Sequence, residues 1–188
     1  MQKRQLLEFL KKAISAFQKG EIFALKETAN KAIEEAALSN DKRLARIALI
    51  AYALNKMSSK QHIVRHGRWQ EIKHDILFDL RKATEALEKD NEQEFQHRLQ
   101  ATIDSVKTTD EKIGNYVQNI FEKAKVKYAS TAYSMGLGLG QSAALTGANK
   151  KQLLRYIGAT RIADREEVTL GIGERIKKLK EKLKENVK

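Results

Sequence analysis

Residues 42–57, KRLARIALIAYALNKM, decide the fold. When this segment is drawn as a helix, apolar side chains occupy nearly every side, and a helix of that kind is buried all round. Asp41 precedes the segment and can cap its first turn. The most apolar part, residues 45–54, is too short to span a bilayer and contains Arg46. We therefore expect this helix to lie at the centre of a helical bundle.

The rest of the chain also has the composition of an all-α protein. The 188 residues contain no proline, and residue types that favour helices dominate. Helical spacing of apolar residues predicts a second helix that buries Phe23 and Leu25. The same pattern is interrupted at residues 58–68 and 108–110, which predicts breaks between helices there. No alternating pattern lasts long enough to predict a sheet. Besides the central helix, long helices are predicted at residues 2–18, 21–38 (the second helix), 69–89, 92–106 and 110–133.

Composition also restricts the possible functions. The chain has no cysteine, which excludes disulfides, zinc–thiolate sites and cysteine nucleophiles. Abundant Lys and Glu without cysteine are typical of a thermophile's protein. Residues 1–9 lack the apolar core of a signal peptide, which predicts a cytoplasmic location. No grouping of serine, histidine and acidic residues indicates catalysis, so we expect no enzymatic activity and no cofactor.

The chain is strongly basic, with a formal net charge of +12 and a pI of about 9.8. Such a charge favours a polyanionic partner, which can be DNA, RNA or an anionic membrane surface. The alternative is that the lysines only keep a highly charged protein in solution. No apolar stretch predicts membrane insertion, so we expect the partner to be a nucleic acid.

Residues 139–158, LGQSAALTGANKKQLLRYIG, predict two short helices joined by a tight turn. Gly147 falls at the turn, and Asn149 can cap the second helix by accepting from its first N–H groups. Leu153 and Ile157 lie on the apolar side of that helix, together with Tyr156. Its polar side therefore faces outward and is basic.

This pair of helices resembles the helix-turn-helix superfamily of DNA-binding proteins, whose second helix enters the major groove. The resemblance implies that Lys151 and Gln152 reach base edges, because lysine pairs with guanine and glutamine with adenine. Lys150 and Arg155 would hold phosphates. The same residues could instead form an ordinary corner of a helical bundle, or a surface that docks another protein.

The first helix of the pair and the residue after the second extend this predicted surface. Gln141 and Ser142, near the start of the first helix, could donate to a phosphate beside the helix dipole. Arg161 follows the second helix and belongs to the same predicted nucleic-acid-binding set.

Residues 60–69, KQHIVRHGRW, form a second basic stretch. Its predicted nucleic-acid contacts are Lys60, Arg65 and Arg68. These cations with Trp69 could hold a phosphate backbone and stack a base, or Trp69 could instead anchor the next helix in the core. His62 and His66 have the spacing of a metal-binding pair, but no third ligand is near them in sequence, so we expect no metal site.

The composition changes near residue 130, which predicts two parts. Residues 1–130 would form the helical bundle, and residues 131–188 a helix-turn-helix-like module with a basic tail helix. The tail, residues 172–187, is amphipathic. Its apolar edge could pack on the bundle or pair with a second copy in a homodimer, and its lysines could add affinity for phosphates.

These features together predict a regulatory or architectural nucleic-acid-binding protein that uses a helix-turn-helix, with DNA favoured over RNA. The alternative hypothesis is a helical scaffold or adaptor that binds another protein and has no catalytic activity. The two hypotheses differ in whether the basic side of the second helix is exposed or packed against the bundle.

Overall fold

The protein is all-α in the computed structural model, which describes residues 2–113, residues 118–160 and Lys177. Side chains are described for residues 3–107, residues 120–160 and Lys177. No strand occurs in these ranges. The helices are α1 (Gln2–Lys19), α2 (Ile22–Ser39), α3 (Lys42–Ser58), α4 (Gln61–Val64), α5 (Trp69–Glu88), α6 (Glu92–Ile113), α7 (Gln118–Ser134), α8 (Leu139–Thr146) and α9 (Lys150–Thr160).

Helix α3 lies at the centre of the bundle, as its sequence predicted. It packs against α1, α2, α4, α6, α7 and α8, and most of its side chains are buried. The Asp41 carboxylate accepts from the backbone N–H of Arg43 at 2.8 Å, which confirms the predicted cap. At the other end of α3, the buried Asn55 side chain donates to the Ile22 carbonyl at 2.7 Å and ties α3 to the start of α2.

Two sequence predictions about the bundle are wrong. Phe23 is not buried; it is 87% exposed, because it precedes the buried Leu25 by two residues and so lies on the opposite side of α2. The predicted break at residues 108–110 falls inside α6, which continues to Ile113. A Thr-Asp sequence can cap a helix, but it is also tolerated within one, so it does not by itself end the preceding helix.

The last three described helices pack against one another, and α7 and α8 also pack on α3. Helix α7 packs on α2 and α3, α8 packs mainly on α7 and α3, and α9 packs on α7 and α8. Residue 130 lies within α7, and the division into two parts near it stays a prediction. Arg161 and the tail, residues 172–187 apart from Lys177, lie outside the described residues. Among the helices described, none has the length and apolarity needed to cross a membrane.

Candidate nucleic-acid interface

Helices α8 and α9 are joined by a tight turn at Gly147. This glycine has a φ of 73°, in the left-handed region, and its N–H bonds to the Ala143 carbonyl. The Asn149 side-chain oxygen accepts from the N–H of Lys151 at 2.9 Å and from that of Gln152 at 3.2 Å. The predicted turn glycine and the predicted asparagine cap are therefore both present.

One side of α9 packs on the neighbouring helices. Leu153 and Ile157 are buried and form a small apolar cluster with Ala129 of α7 and Ala143 of α8. Leu154, the next residue along, is 60% exposed. The packing fixes the rotation of α9, and with it the side that faces outward.

The outward side of α9 carries the polar residues that the sequence singled out. Lys150, Lys151, Gln152 and Arg155 are all exposed. At about 100° per residue, Lys151 and Arg155 lie nearly opposite the buried Leu153. None of these cations forms an ion pair with a carboxylate in the part of the chain that the structure describes. Three positive charges are thus available on one face.

The predictions for the start of α8 need correction. Ser142 is fully buried, so it cannot donate to a bound phosphate, and we withdraw it from the interface. Its small side chain faces the neighbouring helices, and its hydroxyl has no partner in the described structure. Gln141 is exposed, but its side-chain oxygen accepts from the Gly138 N–H at 3.2 Å and so caps α8 itself.

Lys150 reaches the same end of α8. Its side chain lies across Gly140. A Cβ atom added to this glycine would lie 3.3 Å from the Lys150 Cε and 3.4 Å from its Nζ. The first N–H groups of a helix have no partner within the helix, and they attract anions. The Lys150 ammonium group, rather than the Ser142 hydroxyl, is therefore the side-chain donor placed at this helix end.

Charge is unevenly distributed between the bundle and the last three described helices. Residues 118–160 contain six Lys or Arg and one Glu, a net charge of +5. Residues 2–113 contain 21 Lys or Arg and 17 Asp or Glu, a net charge of +4, and many of their ion pairs join residues three or four positions apart in the chain. The excess positive charge of the described chain is concentrated around α7–α9.

A groove of about 490 Å³ runs between α7 and α9. Its walls are Glu122, Lys123, Val126, Gln152, Arg155 and Tyr156. Glu122 is engaged by Lys125, whose ammonium nitrogen lies 2.6 Å from its carboxylate. The groove extends the exposed side of α9 toward the lysines of α7.

No protein-family model matches this chain, and neither the curated proteins nor the solved structures contain a significant match. Function is therefore inferred from the residues of the chain itself.

A group of three lysines beside this groove escaped the sequence analysis. Lys127 of α7 lies with its ammonium nitrogen 4.9 Å from the centroid of the Tyr52 ring, and the nitrogen of Lys56 lies 5.3 Å from it. Burial lowers the pKa of Lys127, and the charges of Lys56 and Lys26 lower it further. These residues are far apart in sequence and are brought together only by the packing of α2, α3 and α7, so no local pattern could reveal them.

In the second basic stretch, residues 60–69, the structure supports the alternative in which Trp69 anchors the next helix. Trp69 is buried and packs edge-to-face on Phe17 with ring centroids 6.1 Å apart, so it anchors α5 in the core and cannot stack on a base. Arg68 is paired with Glu71 through two contacts of 3.0 Å. Of the other predicted contacts, Arg65 is exposed and Lys60 is partly buried.

The histidines of that stretch belong to no metal-binding group. His62 is exposed and His66 is partly buried, and the His66 ring nitrogen accepts from the Arg68 N–H at 3.3 Å. Among the described residues, no three His, Asp or Glu side chains are grouped so that they could hold a metal ion.

Proposed function

We propose that this protein binds nucleic acid through the exposed side of α9, and that duplex DNA is its preferred partner. The observation that carries the proposal is the combination of three cations and a glutamine on one exposed helix face. Among the described residues, no carboxylate pairs with these cations, and residues 118–160, to which they belong, carry a formal net charge of +5. Phosphate neutralisation by such cations provides most of the affinity of a non-specific complex.

Residues in the first turn of α9 are suited to reading bases. Lys151 and Gln152 are exposed, and their backbone N–H groups are held by Asn149, so the start of the helix is rigid. The Gln152 amide can bond adenine through two hydrogen bonds, and the Lys151 ammonium can bond the acceptors of guanine. These two side chains would therefore supply sequence preference.

The flanking cations are suited to phosphates. Arg155 is exposed one turn further along α9 and lines the groove toward α7. Lys150 lies at the start of α8, where a phosphate would meet both an ammonium group and the partial positive charge of the helix end. Contacts of this kind position a protein on the duplex without reading its sequence.

Binding measured as a function of salt tests the proposal. The wild type is compared with Lys151→Ala/Gln152→Ala, with Arg155→Ala and with a control, Lys42→Gln/Lys89→Gln, on duplex DNA, single-stranded DNA and RNA. Lys42 and Lys89 are exposed cations outside the α7–α9 surface. We expect the control to bind like the wild type.

The two test variants should behave differently. Lys151→Ala/Gln152→Ala should lose discrimination among duplex sequences, by about 1–3 kcal/mol per base pair contacted. Arg155→Ala should weaken binding to all sequences and reduce the slope of log K against log salt by about 1. If the wild type binds none of the three nucleic acids at about 50 mM salt, the proposal is wrong.

A further inference from the structure

Lys56 of α3 and Lys127 of α7 lie beside one aromatic ring, that of Tyr52, and Lys26 of α2 lies near Lys127. The Lys56 and Lys127 nitrogens lie 5.3 Å and 4.9 Å from the ring centroid. They are therefore within about 10 Å of each other, which is one Debye length at 0.1 M salt. Lys26 is close enough to act on the charge of Lys127. Like charges at such a distance repel each other, so the arrangement raises the free energy of the protein when nothing is bound there.

Several partly buried cations elsewhere in the described chain have carboxylate partners, whereas Arg46 bonds the side-chain oxygens of Gln96 and Gln100, and Lys73 bonds the Gln18 carbonyl. Arg43 bonds Asp41 at 2.8 Å, Arg98 bonds Glu94 at 2.6 Å, and Lys125 bonds Glu122 at 2.6 Å. Lys127 is also partly buried, yet no described carboxylate pairs with it. Its aromatic contacts offset part of the cost of burying the ammonium group, but they supply no negative charge.

We infer that Lys26, Lys56 and Lys127 form a binding site for a phosphate group beside the Tyr52 ring. An external anion supplies the counter-charge that the fold withholds, and ammonium groups are compact donors suited to phosphate oxygens. Because the three lysines come from three helices, they can approach such an anion from different directions.

The phosphate can come from either of two sources. Tyr156 of α9 lines the groove that Arg155 also lines, and burial together with the charge of Tyr156 raises the pKa of Tyr52, so the two tyrosines interact electrostatically. The backbone of a nucleic acid bound on α9 could therefore continue to the lysines, and this use of the site rests on the proposed function. A small phosphate compound could occupy the same lysines without any nucleic acid.

Thermal unfolding in phosphate and in chloride, at equal pH and ionic strength, tests the site with inorganic phosphate as the probe. The variants are Lys56→Gln/Lys127→Gln and, in case that pair fails to fold, Lys26→Gln, which changes an exposed side chain. The control is again Lys42→Gln/Lys89→Gln. Phosphate also stabilises proteins by exclusion from their surface, and that effect is common to all four proteins.

At a phosphate concentration of about ten times the Kd of the site, phosphate should raise the Tm of the wild type and of the control. The increase should be about 3–6 °C larger than that of Lys56→Gln/Lys127→Gln. Lys26→Gln should lose part of the same increment. Equal phosphate-induced shifts in all of the proteins would overturn the site.

Duplex DNA binding by the same variants separates the two sources. If the backbone reaches the lysines, Lys56→Gln/Lys127→Gln lowers the slope of log K against log salt by about 1 and the control does not. A specific Tm effect with an unchanged slope assigns the site to a small phosphate compound. A specific Tm effect in a wild type that binds no DNA supports the site and refutes the proposed function.

Discussion

Two adjacent leucines on α9 give a direct test of how this helix is rotated. Leu153 is 0% exposed and packs in the cluster with Ala129, Ala143 and Ile157, whereas Leu154 is 60% exposed. Leu153→Ala and Leu154→Ala remove the same atoms from neighbouring positions of one helix. Any difference between the two variants therefore reports burial and not helix propensity.

The expected magnitudes follow from the two environments. Leu→Ala removes about three methyl or methylene groups, each worth about 0.8 kcal/mol when fully buried. With the added cost of a cavity, Leu153→Ala should destabilise α9 by about 3 kcal/mol. Leu154 buries less than half of its surface, and alanine is the better helix former, so Leu154→Ala should cost about 0.5 kcal/mol or less.

Native-state hydrogen exchange is the appropriate assay, because α9 contacts α7 and α8 and can open without the bundle unfolding. Leu153→Ala should lower the protection of the α9 amides by about a hundredfold, corresponding to the loss of about 3 kcal/mol. The protection of α3 should change little. Leu154→Ala should leave both helices close to the wild type.

If the α9 amides lost equal hydrogen-exchange protection in the two variants, the orientation of α9 with Leu153 buried and Leu154 exposed would be refuted. A larger loss in Leu154→Ala would mean that the helix presents its opposite side, so that Lys151 and Arg155 would face the bundle. Either result would remove the structural basis for the proposed interface.

Three further predictions concern the turn, the cap and one buried carboxylate. Asn149→Ala should destabilise α9 by about 1 kcal/mol, measured by hydrogen exchange, whereas Asn149→Asp keeps an acceptor and should not. Gly147→Ala should lower the free energy of unfolding by about 1–2 kcal/mol, because an alanine is strained at a φ of 73° even though no atom would contact its Cβ. Gly158 is equally uncrowded but lies within a helix, so Gly158→Ala should raise the free energy of unfolding by about 0.5–1 kcal/mol, measured by thermal unfolding. Burial raises the pKa of Asp41, but hydrogen bonds from Arg43 lower it more, so that the pKa lies below its usual range. The ionised carboxylate therefore stabilises the fold above about pH 4, and this contribution is lost as the pH falls through the lowered pKa. Asp41→Asn should therefore be less stable than the wild type at pH 7, and the difference should shrink in denaturant titrations as the pH falls below about 4. A pH-independent difference would contradict the lowered pKa.

Local signals were enough to predict several elements of the fold. Residues 42–57 predict a central helix because apolar side chains occupy nearly every side of it, and α3 is central. Asp41 and Asn149 were recognisable as caps because a cap depends only on residues within one turn. The turn at Gly147 was predictable for the same reason.

Features that depend on helix rotation or on distant segments were not predictable in this way. The spacing of apolar residues places both Phe23 and Leu25 in the core, but the two are about 200° apart on a helix, and the structure buries only Leu25. The place of Ser142 near the start of α8 suggests a phosphate contact, but its small side chain fits between packed helices and is buried. The group formed by Lys26, Lys56 and Lys127 requires three helices to meet, and no spacing in the sequence records that.

The central claim, that nucleic acid lies along the exposed side of α9, is tested most directly by an NMR titration of the isotopically labelled protein with duplex DNA. We predict that backbone amide shifts change chiefly at residues 150–158 and near Lys123 and Lys127, and that they return on addition of salt. Shift changes confined to α1, α5 and α6, with α9 unaffected, would contradict the claim.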